Sequence, residues 1–282
     1  MDLLVGYDGS PAANSAIRVA KVLFPEAHAW IALVRTPPFA SRELRRRLRL
    51  SARNITELSD AVEREGEHEA LLIVDTGVAL AGALGWSAEP LLKQCWSGEG
   101  IGLAQLAEER RPDAVVVGSR GLSGSEAILG SVSELLVHHS TRPVLVSRPT
   151  MLAAEYEALA AGPVVIGFDH SEGASAAVAA AQHLFPGREL LAVSVAADEP
   201  GRASSAPPEG VSLVTASPHR GRGAGATADA LIAVADKHHA AAIVVGSRGR
   251  SPVRRVLLGS VANSVLDDSH RPVLVVPQTP AP

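Results

Sequence analysis

Short runs of Val, Ile and Leu punctuate the chain, and each leads into a stretch where small apolar residues return every three or four positions. The runs at residues 3–7, 30–34, 114–117 and 144–147 have counterparts at 164–168, 190–195, 242–245 and 273–276. Runs this short and continuous read as strands covered on both faces, with the amphipathic stretches as the covering helices. The pattern predicts an α/β fold of two tandem doubly wound parallel-sheet domains.

The two halves are one unit written twice. Residues 5–25 (VGYDGSPAANSAIRVAKVLFP) align without a gap with 166–186 (IGFDHSEGASAAVAAAQHLFP) at a shift of 161. Residues 114–121 (AVVVGSRG) match 242–249 (AIVVGSRG) at a shift of 128, and 129–147 (LGSVSELLVHHSTRPVLVS) match 258–276 (LGSVANSVLDDSHRPVLVV) at 129. The fall from 161 to 128 makes the second copy 33 residues shorter between its first helix and its GSRG block, so it is expected to lack a helix there. In the first copy that interval holds an arginine-rich segment and NITELSDAVEREGE, both helical in pattern; in the second it holds DEPGRASSAPPEG, rich in Pro, Gly and Ser. Domains are expected at 1–149 and 163–282, with residues 150–162 as an alanine-rich connector containing a short helix.

Composition narrows the classes further. A hydrophobic share of 46% with 20% charged residues belongs to a folded, globular chain. No apolar run approaches the roughly 20 residues that span a bilayer, and the N-terminus lacks the features of a secretory signal, so no membrane partner is expected. A single cysteine, Cys95, rules out a disulfide framework and fits a cytoplasmic location. The net charge of −4 gives no general attraction to nucleic acid. Arg42, Arg45, Arg46, Arg47 and Arg49 form one basic cluster; Leu44, Leu48 and Leu50 among them read as the buried stripe of a helix, and no aromatic residue is interleaved.

The candidate chemistry lies at the ends of strands. After the fourth strand of each copy comes GSRG, then a variable loop, then GSV opening an apolar helix: Gly118, Arg120, Gly121, Gly130, Ser131, Val132 and Ser133, and Gly246, Arg248, Gly249, Gly259, Ser260 and Val261. Glycines let the backbone approach a ligand, and the first amides of the helix are unpaired donors at its positive end, which together make an anion cradle. Asp8 and Asp169 follow the first strand, which neighbours the fourth in an order of 3-2-1-4-5, so aspartate and loop converge where open sheets bind ligands. Both aspartates have a competing reading as caps of the following helix. The histidines show no metal-ligand spacing, and no nucleophile elbow or Walker lysine is present.

The motif G-x2-G-x9-G-S/T after the fourth strand, with an aspartate at the end of the first, resembles the ATP-binding pattern of the universal stress protein family, once per half. The resemblance implies a HUP-like fold and ATP, with or without magnesium, as ligand. It implies that Asp8 and Asp169 meet the adenosine, that Val34 and Val195 pack near adenine, that Gly118/Gly121 and Gly246/Gly249 shape the ribose and phosphate region, and that Gly130–Ser131 and Gly259–Ser260 hold phosphates. The valines read equally as core, and Arg120 and Arg248 as solvated. Only eight residues separate Gly121 from Gly130, against nine between Gly249 and Gly259, so the first loop is expected to be pulled tighter or its helix to start one residue differently. Ser133 offers a hydroxyl where the second copy has Ala262. The family also implies pairing of the two RPVLV strands into a pseudo-dimer inside one chain; further association of two chains stands open. The function expected is a nucleotide-responsive stress-adaptation or signalling module with an unknown protein partner. The alternatives are a slow ATP hydrolase or adenylyl-transfer enzyme, and an interaction scaffold without nucleotide.

Overall fold

The computed structural model describes residues 1–37, 40–119, 129–195, 209–218, 223–249 and 258–278. In the first copy β1 (Asp2–Gly6), β2 (His28–Arg35), β3 (Ala88–Gln94), β4 (Ala114–Gly118) and β5 (Val144–Ser147) are separated by α1 (Pro11–Leu23), α2 (Arg42–Ser51) with α3 (Ile55–Ala83), α4 (Glu99–Arg110) and α5 (Ser131–His139). The connector forms α6 (Ala153–Ala161). The second copy has β6 (Val164–Gly167), α7 (Glu172–Leu184), β7 (Leu190–Val195), β8 (Ser212–Ala216), α8 (Ala224–Lys237), β9 (Ala242–Gly246), α9 (Ser260–Asp268) and β10 (Val273–Val276). Among the described residues no helix stands between β7 and β8, where the first copy carries α2 and α3.

All ten strands join one sheet in the order β3-β2-β1-β4-β5-β10-β9-β6-β7-β8. Each copy is parallel with the expected order 3-2-1-4-5. The copies meet through the antiparallel pair β5–β10, with Leu145 opposite Leu274. Both leucines are fully buried, each contributing about 1.5–3 kcal/mol of apolar burial, so this seam belongs to the core. Pairing removes what would be two exposed apolar edges. The outer edges are instead only half-covered: β3 carries Pro90, tolerated because an edge strand needs only one side of its ladder, and β8 exposes Ser212 and Thr215 while Leu213, Val214 and Ala216 are half-buried.

Side chains alternate across the sheet. Leu3, Val5, Ile31 and Val116 pack beneath α1, α3 and, across the seam, α6 and α7; Leu4, Ala32, Val34 and Val117 pack beneath α4, α5, α8 and α9. At the seam, Phe24 and its repeat equivalent Phe185 stack with ring centroids 5.3 Å apart.

The helices begin where the sequence provides caps. Ser10 and Ser171 accept the amides of Ala13 and Ala174, both at 3.1 Å, and Asn54 accepts that of Glu57 at 2.8 Å. Helix α3 runs far beyond the polar stretch that announced it, because Gly66, Ala70, Val74, Gly77 and Ala81 lay a narrow buried stripe against the sheet. At Gly77 the approach is close enough that a Cβ would lie 2.7 Å from Ile31 Cγ2.

The arginine-rich segment is helical, but its leucines are not a buried stripe. No residue of α2 is buried: Leu44 and Leu48 are half-covered and Leu50 is 84% exposed. Leu44 and Leu48 are four apart and share a face, whereas Leu50 follows two residues later, about 200° round the helix.

Candidate functional site

The carboxyl ends of β1, β2 and β4 enclose a cavity of about 420 Å³ in the first copy, a size suited to a small organic ligand. Its floor is made by Tyr7, Asp8, Val34 and Gly118; Gly130, Ser131, Val132 and Ser133 of the α5 N-terminus close one side. Seven of the nine first-copy residues expected at a site are thereby brought together. The other two, Arg120 and Gly121, lie outside the described residues.

Helix α5 starts at Ser131 with Gly130 as its cap, and α9 starts at the equivalent Ser260 with Gly259 as its cap. The cap backbones are alike, φ −73 and ψ 150 against φ −62 and ψ 146, and each loop is closed the same way: Gly130 N–H donates to Ser119 O and Gly259 N–H to Ser247 O, both at 2.7 Å. The one-residue difference in spacing therefore leaves the helix start in place. Neither glycine has a side chain to cap the helix, so the amides of Ser131, Val132 and Ser133 remain as donors without intrahelical partners. They carry the positive end of the helix dipole to the cavity wall.

The aspartates are not the caps, since Ser10 and Ser171 take that role. Asp8 Oδ1 instead accepts the Ser10 amide at 2.9 Å, and Asp169 Oδ1 the Ser171 amide at 3.0 Å, a two-residue turn that fixes each carboxylate at the strand end. Tyr7 beside Asp8 is a buried neutral wall. Burial first, and the Asp8 charge second, push its phenol above the ordinary value, and its hydroxyl donates to Asn14 Oδ1 at 2.8 Å.

Three further placements add to the sequence reading. Ser133 turns inward: its hydroxyl donates to Gly118 O at 2.7 Å and is buried, tying α5 to the end of β4. Gly118 and Gly246 have a packing reason as well as a ligand one. A Cβ there would lie 2.7 Å from Ala12 C and 2.6 Å from Gly173 O, because the N-termini of α1 and α7 cross directly over them. Val34 is both core and cavity lining, while Val195 at the corresponding end of β7 is only half-buried.

In the second copy Asp169 and the loop do converge, with the Cβ position of Gly249 3.0 Å from Asp169 Oδ2. Arg248 passes over α7, its carbonyl 2.1 Å from where a Gly173 side chain would begin. Next to Asp169, His170 adopts φ 65 where the first copy has Gly9 at φ 78, and its ring meets Phe168 edge-on at 4.5 Å. A non-glycine residue in this left-handed region marks a constrained turn. The substitution of HS for GS after the aspartate is the sequence signal for it.

The cavity also has walls that the motif did not name. Glu69 and Ile73 descend from α3, about two turns and one turn before the close approach at Gly77, and Glu99 and Leu103 come from α4. Glu69 Oε2 accepts the amide of Ser41 at 2.7 Å, and Ser41, the cap of α2, itself lines the cavity. A mostly apolar chamber with carboxylates at Asp8, Glu69 and Glu99, and helix amides on one side, suits a ligand with an apolar ring, hydroxyls and a compact anionic end.

A two-copy, doubly wound α/β chain with such a chamber at its switch point belongs to the class of open-sheet proteins that hold ligands beyond the carboxyl ends of their strands. The family model described as "Universal stress protein family" matches residues 1–148 and 209–277, and the chain belongs to that family. Universal stress protein YxiE of Bacillus subtilis is 31% identical over 150 residues, which are 52% of this chain and 97% of that protein. A universal stress protein of Methanocaldococcus jannaschii is 44% identical over 52 residues, 18% of this chain and 31% of that protein. Among solved structures, a universal stress protein from Archaeoglobus fulgidus superposes with a TM-score of 0.69 at 22% identity, covering 99% of this chain and 98% of that one.

Proposed function

We propose that this chain binds an adenine nucleotide, ATP, in the first-copy cavity and acts as a nucleotide-responsive module in stress adaptation or signalling. The observation that carries this reading is the cavity itself, where an apolar chamber ends at the uncapped amides of α5. Adenine would sit against Val34 and Leu103, ribose hydroxyls would donate to Asp8, and phosphates would accept from Ser131 to Ser133. Among the described residues no three carboxylate, histidine or cysteine side chains gather to hold a metal, so magnesium would be held chiefly by the phosphates. Among the described lining residues there are carboxylates and helix amides but no lysine or arginine to clamp a phosphoryl group in transfer, which favours binding over turnover.

Occupancy has a route outward. The cap of α2 is pinned to Glu69 at the cavity wall, so a ligand that displaces Glu69 releases the start of an exposed helix. The reading is tested by denaturing the purified protein gently and identifying the released ligand by chromatography and mass. Adenine nucleotide near one per chain supports it; protein that carries none, and takes up none when ATP is supplied, refutes it.

A further inference from the structure

The far end of the α2–α3 elbow has a chemistry that the cavity does not use. Between Ser41 and Asn54 the chain carries six arginines and one carboxylate, although its net charge is −4. Arg42, Arg45, Arg46 and Arg49 fall at i, i+3, i+4 and i+7 and therefore share one face of α2, turned away from the Leu44–Leu48 side. Glu43 is taken by Arg46 at 3.2 Å, and Arg45 Nε donates to Ala40 O at 2.9 Å. Of the carboxylates in the first half of the facing helix, Glu57 and Asp60 line the inner cleft with Leu48 and Arg64, Glu65 pairs with Arg64 at 3.2 Å, Glu67 with Arg35 at 3.6 Å, and Glu69 accepts the Ser41 amide.

At the end of this cationic face two large aliphatic side chains stand in solvent. Leu50 is 84% exposed and Ile55 78% exposed, on either side of an elbow held by the Asn54 cap and by Arg53 N–H donating to Glu57 Oε2 at 2.9 Å. The elbow is thus a preformed wedge with an arginine collar. We propose that it docks the chain on an anionic lipid surface, the arginines engaging headgroup phosphates while Leu50 and Ile55 enter the boundary with the acyl chains. A nucleic acid would satisfy the arginines equally, but its backbone offers nothing to bury two aliphatic side chains, and no aromatic residue is present in the segment to stack on bases. A bilayer interface satisfies both features at once. The proposal is independent of the nucleotide reading.

The test is co-sedimentation of the full chain with vesicles of phosphatidylcholine alone and of equal parts phosphatidylcholine and phosphatidylglycerol. Two variants are compared, Arg42→Gln with Arg49→Gln, and Leu50→Ser with Ile55→Ser; the replaced side chains make no core contacts, and unchanged melting checks this. Wild type should bind only the phosphatidylglycerol vesicles. The arginine pair should weaken binding about 30-fold, and the aliphatic pair about tenfold or more. Absence of binding to the anionic vesicles overturns the proposal. So does binding that the aliphatic pair leaves unchanged, and duplex DNA that competes with vesicles equally well for wild type and aliphatic variant would assign the surface to nucleic acid instead.

Discussion

Removing Arg148 should loosen the join between the two copies. This residue follows β5 and reaches across the seam to the C-terminus of α9, where Nε donates to Ser269 O at 2.9 Å and one Nη donates to Leu266 O at 3.0 Å and also to Asp267 O. The last carbonyls of a helix have no partners of their own, and a cation there also meets the negative end of the dipole. Charge-assisted hydrogen bonds contribute about 1.5–3 kcal/mol each when buried. Arg148 is half-exposed and water would take over part of the work, so Arg148→Ala should cost about 2–4 kcal/mol in total. That corresponds to a melting point roughly 5 °C or more lower, read by calorimetry. The loss should depend on pH. Burial, and next the Asp268 charge, raise the Asp267 carboxyl above its ordinary value, while Arg148 acts in the opposite direction. A carboxyl with a raised folded-state pKa penalises the native state when ionised, and the penalty disappears below its unfolded-state value. Without Arg148 the penalty grows, so the deficit should be largest at neutral pH and narrow towards pH ~4. A change under about 0.5 kcal/mol, the same at both pH values, would refute this account of the seam.

Other consequences follow from neighbouring geometry. Ser133→Ala leaves Gly118 O without its buried donor and should cost about 1–2 kcal/mol in chemical denaturation, while Ala262→Ser in the second copy should gain at most about 1 kcal/mol. Gly102→Ala would place a methyl 2.5 Å from Val34 Cγ1, costing about 1–3 kcal/mol and moving Val34 at the cavity wall; ATP affinity measured by titration should fall. His183 links the copies through Asp113 Oδ1 at 2.9 Å. Burial of Asp113 opposes its ionisation, but the hydrogen bonds from His183 and the Asp2 amide, with the histidine charge, outweigh it and hold the carboxyl below its ordinary value. That stability is present above the unfolded pKa and lost as pH falls through the folded one. Because His183 is largely exposed, His183→Ala should lower stability by no more than about 1 kcal/mol at pH ~7, with no difference in strong acid.

Most of the fold was legible because it was written twice. The strand runs and the glycines that open α5 and α9 are local signals, and their repetition fixed the topology before any contact was known, whereas the caps of α1 and α7 were sought at Asp8 and Asp169 and fell to Ser10 and Ser171 two residues later. What escaped was tertiary. Helix α3 was visible only in its polar first turns, since the stripe that seats it uses Gly66, Ala70 and Gly77, residues whose value lies in letting backbones approach and not in hydrophobicity. With its path unknown, Glu69 and Ile73 gave no sign that they would wall the cavity. The Leu50 error came from counting leucines near one another without following their angle round the helix. Ser133 was aimed at a ligand because the distance from its hydroxyl to Gly118 O is a product of the α5 and β4 packing, which no spacing encodes. Arg148 had no repeat counterpart to draw notice, since Pro277 occupies the equivalent place.

The central claim is that the α5 amides receive phosphate in the first-copy cavity, and matched substitutions at the two helix starts test it most directly. Ser131 and Ser260 are both exposed first residues, where a glutamate favours the helix dipole by about 0.3–1 kcal/mol and therefore spares folding, yet sets a negative charge where phosphate would bind. In calorimetric titration of stripped protein with ATP, Ser131→Glu should weaken binding at least tenfold while Ser260→Glu leaves it near wild type. Wild-type affinity in Ser131→Glu, or loss confined to Ser260→Glu, would contradict the account.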